Sequence, residues 1–169
     1  MDLKKRFGFT LIEIIVVVAV IGVLASAIIA ILDPFTQIQK AQDARTKSDL
    51  AQIQRALEAY YQDNGFYPAD CGVGNYQIMS GGTCIAWGQP WSPYMDTLPK
   101  DGNPAHTYVY YQVPGGQAYY LYANLGRGTK DPQACTSGVC TSPGGSGINM
   151  STACGAPCNF GLSSPNVSP

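Results

Sequence analysis

Apolar residues crowd one end of this chain and thin out along it. From Phe9 to Leu32 the sequence is almost unbroken Ile, Leu, Val, Ala and Phe, with a single charged residue, Glu13, near the start. About 24 residues at about 1.5 Å each span roughly 36 Å, long enough to cross a bilayer as one helix. A charge inside such a segment costs up to about 2.5–3.5 kcal/mol at mid-membrane and less toward an end, so Glu13 needs a partner. No Lys or Arg lies between Phe9 and Leu32, which puts that partner outside the helix. Asp33-Pro34 follows. Proline removes a helix hydrogen bond and disfavours helix in the residue before it. A break is expected there, with Asp33 placed to cap the next helix and Pro34 at its first position.

From 35 to 63 the pattern turns amphipathic. Leu50, Ile53, Leu57 and Tyr60 or Tyr61 recur at the three- and four-residue spacing of one helical face, opposite Gln52, Arg55, Glu58 and Gln62. The upstream half is polar and alanine-rich, carrying Lys40, Asp43, Arg45, Lys47 and Asp49. It is expected to lie outside the chain's own core, facing solvent or a neighbouring molecule. Asn64-Gly65 ends the helix with a pair tolerant of left-handed backbone. Residues 71–100 read as loop. Thr107 to Val113 and Ala118 to Ala123 are β-prone runs around Pro114-Gly115-Gly116-Gln117 and read as a hairpin packed on the Leu50, Ile53, Leu57 face. The last forty or so residues hold few large apolar side chains and are expected to add little core.

Composition narrows the choices. The chain has 169 residues, 46% hydrophobic and 12% charged. Without residues 1–8, which carry Asp2, Lys4, Lys5 and Arg6, seven basic and ten acidic side chains remain, a net charge of −3. That overall charge argues against nucleic acid as a partner. Lys4, Lys5 and Arg6 just before the span predict a cytoplasmic amino end, with the rest outside. Cys71, Cys84, Cys135, Cys140, Cys154 and Cys158 all fall on that outer side, where an even count reads as disulfides. Six cysteines permit fifteen pairings and sequence cannot choose among them. Closeness along the chain suggests Cys71 with Cys84, Cys135 with Cys140 and Cys154 with Cys158. The spacing loosely allows zinc as the competing reading, which an oxidising location disfavours.

The run from Lys5 to Glu13, Lys-Arg-Phe-Gly-Phe-Thr-Leu-Ile-Glu, resembles the processing and methylation signal of type IV pilins and type II secretion pseudopilins. The resemblance implies that a membrane-embedded prepilin peptidase and N-methylase cuts between Gly8 and Phe9 and methylates the new amine of Phe9. It also implies that Glu13 pairs with the terminal amine of a neighbouring subunit, which would neutralise a charge otherwise stranded in lipid. An ordinary secretory signal, with Ala25-Ser26-Ala27 as its cleavage site, would have a shorter apolar region and no glutamate. A plain single-pass anchor likewise leaves Glu13 unexplained. Tyr60 to Pro68, Tyr94 to Pro104 and Tyr122 to Gly126 are similar to the helix exit, the pre-sheet loop and the strand end of major pseudopilins.

The resemblance implies an α+β, pilin-like fold: a long transmembrane-plus-amphipathic helix packed on a small antiparallel β-sheet, with a disulfide-rich loop tail. The segments follow as a basic leader at 1–8 that is removed, a filament-core helix at 9–34, an amphipathic helix at 35–63 and an extracytoplasmic β domain at 64–169. No catalytic residues are expected. His106 is a lone histidine, Asp96, Asp101 and Asp131 are scattered through loops, and nucleophile, zinc-protease and phosphate-loop motifs are missing. No cofactor is expected either. Major pseudopilins typically hold calcium in the loop after the final strand, but the matching run here, Gly126 to Asp131, offers one carboxylate beside Arg127 and Lys130. Calcium takes six to eight oxygens.

The favoured reading is a structural subunit of a type IV pilus-type filament. A pseudopilin acting in protein export is the alternative, and a membrane-tethered extracellular binding module a third. Implied partners are further copies of the chain in a helical filament, the peptidase, an inner-membrane assembly platform, and the membrane before assembly. The expected path runs from single-pass inner-membrane precursor to extracytoplasmic or cell-surface filament.

Overall fold

The computed structural model describes residues 8–168. The basic residues of the expected leader, Lys4, Lys5 and Arg6, lie outside the described residues. The chain divides into two units, Met1–Ile38 and Gln39–Pro169.

In the first unit α1 runs Leu11–Leu32. Its large apolar side chains from Phe9 to Ile28 are all exposed, between 53% and 85%. An apolar surface of that extent on one chain marks a membrane or protein contact. The residues 11–28 meet the length and composition of a membrane span. Helix α1 stops at Asp33, whose backbone is left-handed (φ 38°). Helix α2, Pro34–Asn64, starts immediately after it. Asp33 caps this second start: its carboxylate accepts from the Thr36 N–H at 3.5 Å and the Thr36 hydroxyl at 2.6 Å.

The second unit is built on the remainder of α2. Gly65 (φ 77°) closes that helix, its N–H donating to Tyr61 O at 2.8 Å. Two antiparallel sheets follow. Strands β1 (Ile78–Ser80) and β2 (Thr83–Ile85) form a short hairpin inside the stretch expected to be loop. Strands β3 (Val109–Gln112), β4 (Tyr119–Ala123) and β5 (Phe160–Ser163) form a three-stranded sheet with β4 in the middle. Its register places Val109 opposite Tyr122 and Leu121 opposite Leu162.

Strand alternation sends neighbouring residues to opposite faces. Tyr110, Tyr119, Leu121 and Ala123, with Tyr108 just before β3, share one core with Leu50, Ile53, Ala56 and Leu57 of α2. Leu50, Ile53 and Leu57 are fully buried, each stabilising by about 1.5–3 kcal/mol relative to exposure. Val109 and Tyr122 face the other way and pack with Cys140, Ile148, Met150, Cys154 and Cys158. The tail, expected to contribute little core, thus covers the second face of the sheet and supplies its third strand. The residues that cover that face are a few apolar side chains and two disulfides, Cys135–Cys140 and Cys154–Cys158.

Candidate functional site

Two places in the chain carry polar groups where their surroundings make them costly or constrained. The first is the start of α1. Thr10 is the N-cap, with extended backbone (φ −79°, ψ 150°), and its hydroxyl accepts from the Glu13 N–H at 3.3 Å. The Glu13 carboxylate returns the contact, its Oε2 accepting from the Thr10 N–H at 2.8 Å and the Thr10 hydroxyl at 2.7 Å. This is a complete capping box. It also places the carboxylate at the positive end of the helix dipole. Both bonds fall on one oxygen; among the described residues Oε1 takes none, so it can accept from outside the turn. Thr10 is the residue that sequence reading missed. The Thr-Leu-Ile-Glu spacing of a capping box is the signal that finds it. Gly8 and Phe9 precede the helix without regular structure, and nothing lies within 4 Å of the position a Gly8 side chain would take.

The second place lies within the second unit, where one face of α2 reaches the loop that joins β4 to β5. Asp43, Thr46 and Asp49 are buried, contrary to the expectation that this polar half of the helix lies outside the chain's own core. Asp43 accepts from the backbone N–H groups of Gly126 at 2.7 Å and Arg127 at 3.2 Å. Lys47, one turn on, donates to Asp131 Oδ1 at 2.7 Å. Asp131 Oδ1 also accepts from the Gln133 N–H at 2.9 Å, and Arg127 Nη1 stands 3.9 Å from Oδ2. Burial alone would push the Asp131 carboxyl up, but the Lys47 hydrogen bond, the Gln133 N–H and the charges of Lys47 and Arg127 together hold it below its ordinary value. Asp49 Oδ2 accepts from the Tyr108 hydroxyl at 2.8 Å. Burial first, then the Asp49 contact, raises the Tyr108 pKa. Glu58, placed by periodicity on the polar face, accepts from the hydroxyls of Tyr67 and Tyr119.

The remaining sequence candidates fall apart spatially or pair off. All six cysteines form disulfides, Cys71–Cys84, Cys135–Cys140 and Cys154–Cys158, so none among them is a free thiol for zinc. His106 contacts only the Asn103 amide at 3.3 Å among the described side chains. Asp101 accepts from the Asn103 N–H in a local turn. Neither is joined to a nucleophile. Among the described residues no three His, Cys, Asp or Glu side chains converge as a metal site. The calcium that the resemblance raised does not fit the carboxylates here, because Asp43 and Asp131 Oδ1 already accept from N–H groups and the Lys47 ammonium, and Arg127 stands beside Asp131 Oδ2. Its loop also lies between β4 and β5, not after the final strand.

Comparison with known proteins agrees with the two-part layout. Residues 3–29 match the prokaryotic N-terminal methylation motif, and residues 34–147 match the family described as type II secretion system (T2SS), protein G. The chain is 30% identical over 135 residues to type II secretion system core protein G of Pseudomonas aeruginosa, covering 78% of this chain and 90% of that protein. It is 42% identical over 64 residues to the protein of the same name from Escherichia coli K12, covering 38% and 43%. With that of Vibrio cholerae the figures are 36% over 66 residues, 39% and 44%. Several of these matches therefore span less than half the length of the relative. No solved structure matches the chain at a significant level.

Proposed function

Because the chain belongs to the type II secretion system protein G family, we propose that it is a structural subunit of a pseudopilus acting in protein export. This is the alternative reading of the sequence, which the family match supports better than a type IV pilus subunit. The methylation motif is common to pilins and pseudopilins and does not choose between them. The match over residues 34–147 supports the export reading.

The observation that carries the mechanism is a lone carboxylate at the head of an apolar helix whose large side chains from Leu11 to Ile28 are exposed. The precursor sits in the inner membrane with its amino end in the cytoplasm. A prepilin peptidase cuts after Gly8 and the Phe9 amine is methylated. The new amine lies four residues, about one helical turn, from Glu13. In the lone subunit Thr10 satisfies Glu13 Oε2, so the carboxylate is tolerable in lipid before assembly. A staggered neighbour then brings its own amine to the carboxylate and sets the offset between subunits. Burial of the side chains from Phe9 to Ile28 against other copies supplies the cohesion, by close packing in place of lipid contact. The body with its sheets faces outward. The assembled form is extracytoplasmic, and its making requires an inner-membrane assembly platform.

Mass spectrometry of the mature amino terminus tests the processing: methyl-phenylalanine at Phe9 is expected, and a chain starting at Met1 or Ile28 would refute it. Glu13→Ala tests the assembly. The variant should remain in the membrane fraction with no sheared filaments and with loss of export. A membrane-tethered binder would keep working, and long surface fibres with normal export would point back to a pilus.

A further inference from the structure

We infer that the loop between β4 and β5 is fastened by the chain's own cations, Lys47 above all, so that this body is calcium-independent. The inference rests on the family reading only for the expectation of calcium. Lys47 occupies a built seat. Its ammonium donates to Asp131 at 2.7 Å and stands 5.6 Å from the centroid of the Phe160 ring on β5, a charge partner and a cation–π partner together. Asp131 is only 6% exposed and has Arg127 beside its second oxygen. A divalent ion placed there would meet two positive charges and one negative one.

The neighbouring oxygens are equally committed. Asp43, four residues before Lys47 and therefore on the same helix face, spends both carboxylate oxygens on the N–H groups of Gly126 and Arg127. Turning it toward a metal would strand those donors. From the opposite side Asn159 clamps Leu125, its Oδ1 accepting from the Leu125 N–H at 2.7 Å and its amide donating to Leu125 O at 2.9 Å. The Cys135 N–H donates to Asn159 O at 2.7 Å, which ties the loop to the Cys135–Cys140 bridge. One turn of helix thus offers a carboxylate to the loop's backbone and an ammonium to its buried acid, the contacts that a bound cation and its ligands would otherwise provide.

The test uses the full chain in detergent, with thermal unfolding followed by near-ultraviolet circular dichroism in excess calcium and in excess chelator. The wild-type Tm should be the same in both. Lys47→Met should lower Tm by about 5–10 °C in either condition, the loss expected for a charge-assisted hydrogen bond in a body of this size. In an Asp131→Asn background the same change should lower Tm by less than half as much, and Lys47→Arg should restore most of the loss. A wild-type Tm that falls with chelator, or calcium binding by titration calorimetry, would overturn the inference. So would equal losses from Lys47→Met with and without Asp131. None of these outcomes bears on Glu13, so a failed assembly test and a calcium-responsive body are separate results. If Lys47→Met does not fold, the wild-type comparison decides alone.

Discussion

Removing a single hydroxyl, in Tyr108→Phe, should destabilise the body far more than its size suggests. The hydroxyl donates at 2.8 Å to Asp49 Oδ2. Tyr108 is 1% exposed and Asp49 8%, so the variant leaves a buried carboxylate short of a donor. A hydrogen bond to a charged group contributes about 1.5–3 kcal/mol, and an orphaned buried partner sets the upper end. A body of about 130 residues unfolds with an entropy near 270 cal/mol/K, so each kcal/mol moves Tm by about 3.7 °C. The expected fall is about 5–11 °C, read by near-ultraviolet circular dichroism on the full chain in detergent. Asp49→Leu should be costly by itself, because it strands the tyrosine hydroxyl. The double variant should be less destabilised than the sum of the two, by about 1–2 kcal/mol. Strict additivity, or a Tm loss below about 2 °C for Tyr108→Phe, would refute the claim that this contact joins helix to sheet.

Two further predictions concern the tail and the aromatic core. Gly155 sits at φ 75°, and a side chain there would place its first carbon 1.9 Å from Ala105 O. Gly155→Ala should therefore cost about 2–4 kcal/mol, measured by denaturant unfolding, through clash and backbone strain together; a cost under about 0.5 kcal/mol would mean the tail does not pack there. Burial is the leading cause that raises the pKa of Tyr67, Tyr108, Tyr110, Tyr119 and Tyr122. A folded-state pKa above the unfolded value of 10.0 gives stability that is complete below pH 10 and lost as pH rises beyond it. Absorbance at tyrosinate wavelengths should therefore show these five ionising only together with loss of the near-ultraviolet signal. Their ionisation near pH 10 in an intact fold would contradict the packing.

Much of the architecture follows from local order along the chain. The apolar run forces a helix that must be covered by lipid or protein, Asp33-Pro34 forces a break, and the 3–4 spacing of Leu50, Ile53 and Leu57 selects the face that meets the sheet. The Thr10–Glu13 capping box was missed although its Thr-x-x-Glu spacing is a sequence property, whereas the carboxylate's neighbour in a filament is not written there. What sequence could not supply was the destination of polar side chains. Asp43, Lys47 and Asp49 read as a solvated face because charge on a helix usually seeks water. Asp43 and Asp49 are buried and Lys47 half-buried because Gly126, Arg127, Asp131 and Tyr108, about 60 to 84 residues away, bring donors and a countercharge to meet them. Strand β5 was hidden for the same reason. Phe160 to Ser163 has no alternation long enough to announce a strand, and becomes one only because β4 presents an unpaired edge beside it. Periodicity is written in neighbours along the chain, whereas the compensation of a buried charge or an open backbone edge depends on groups that only folding brings together.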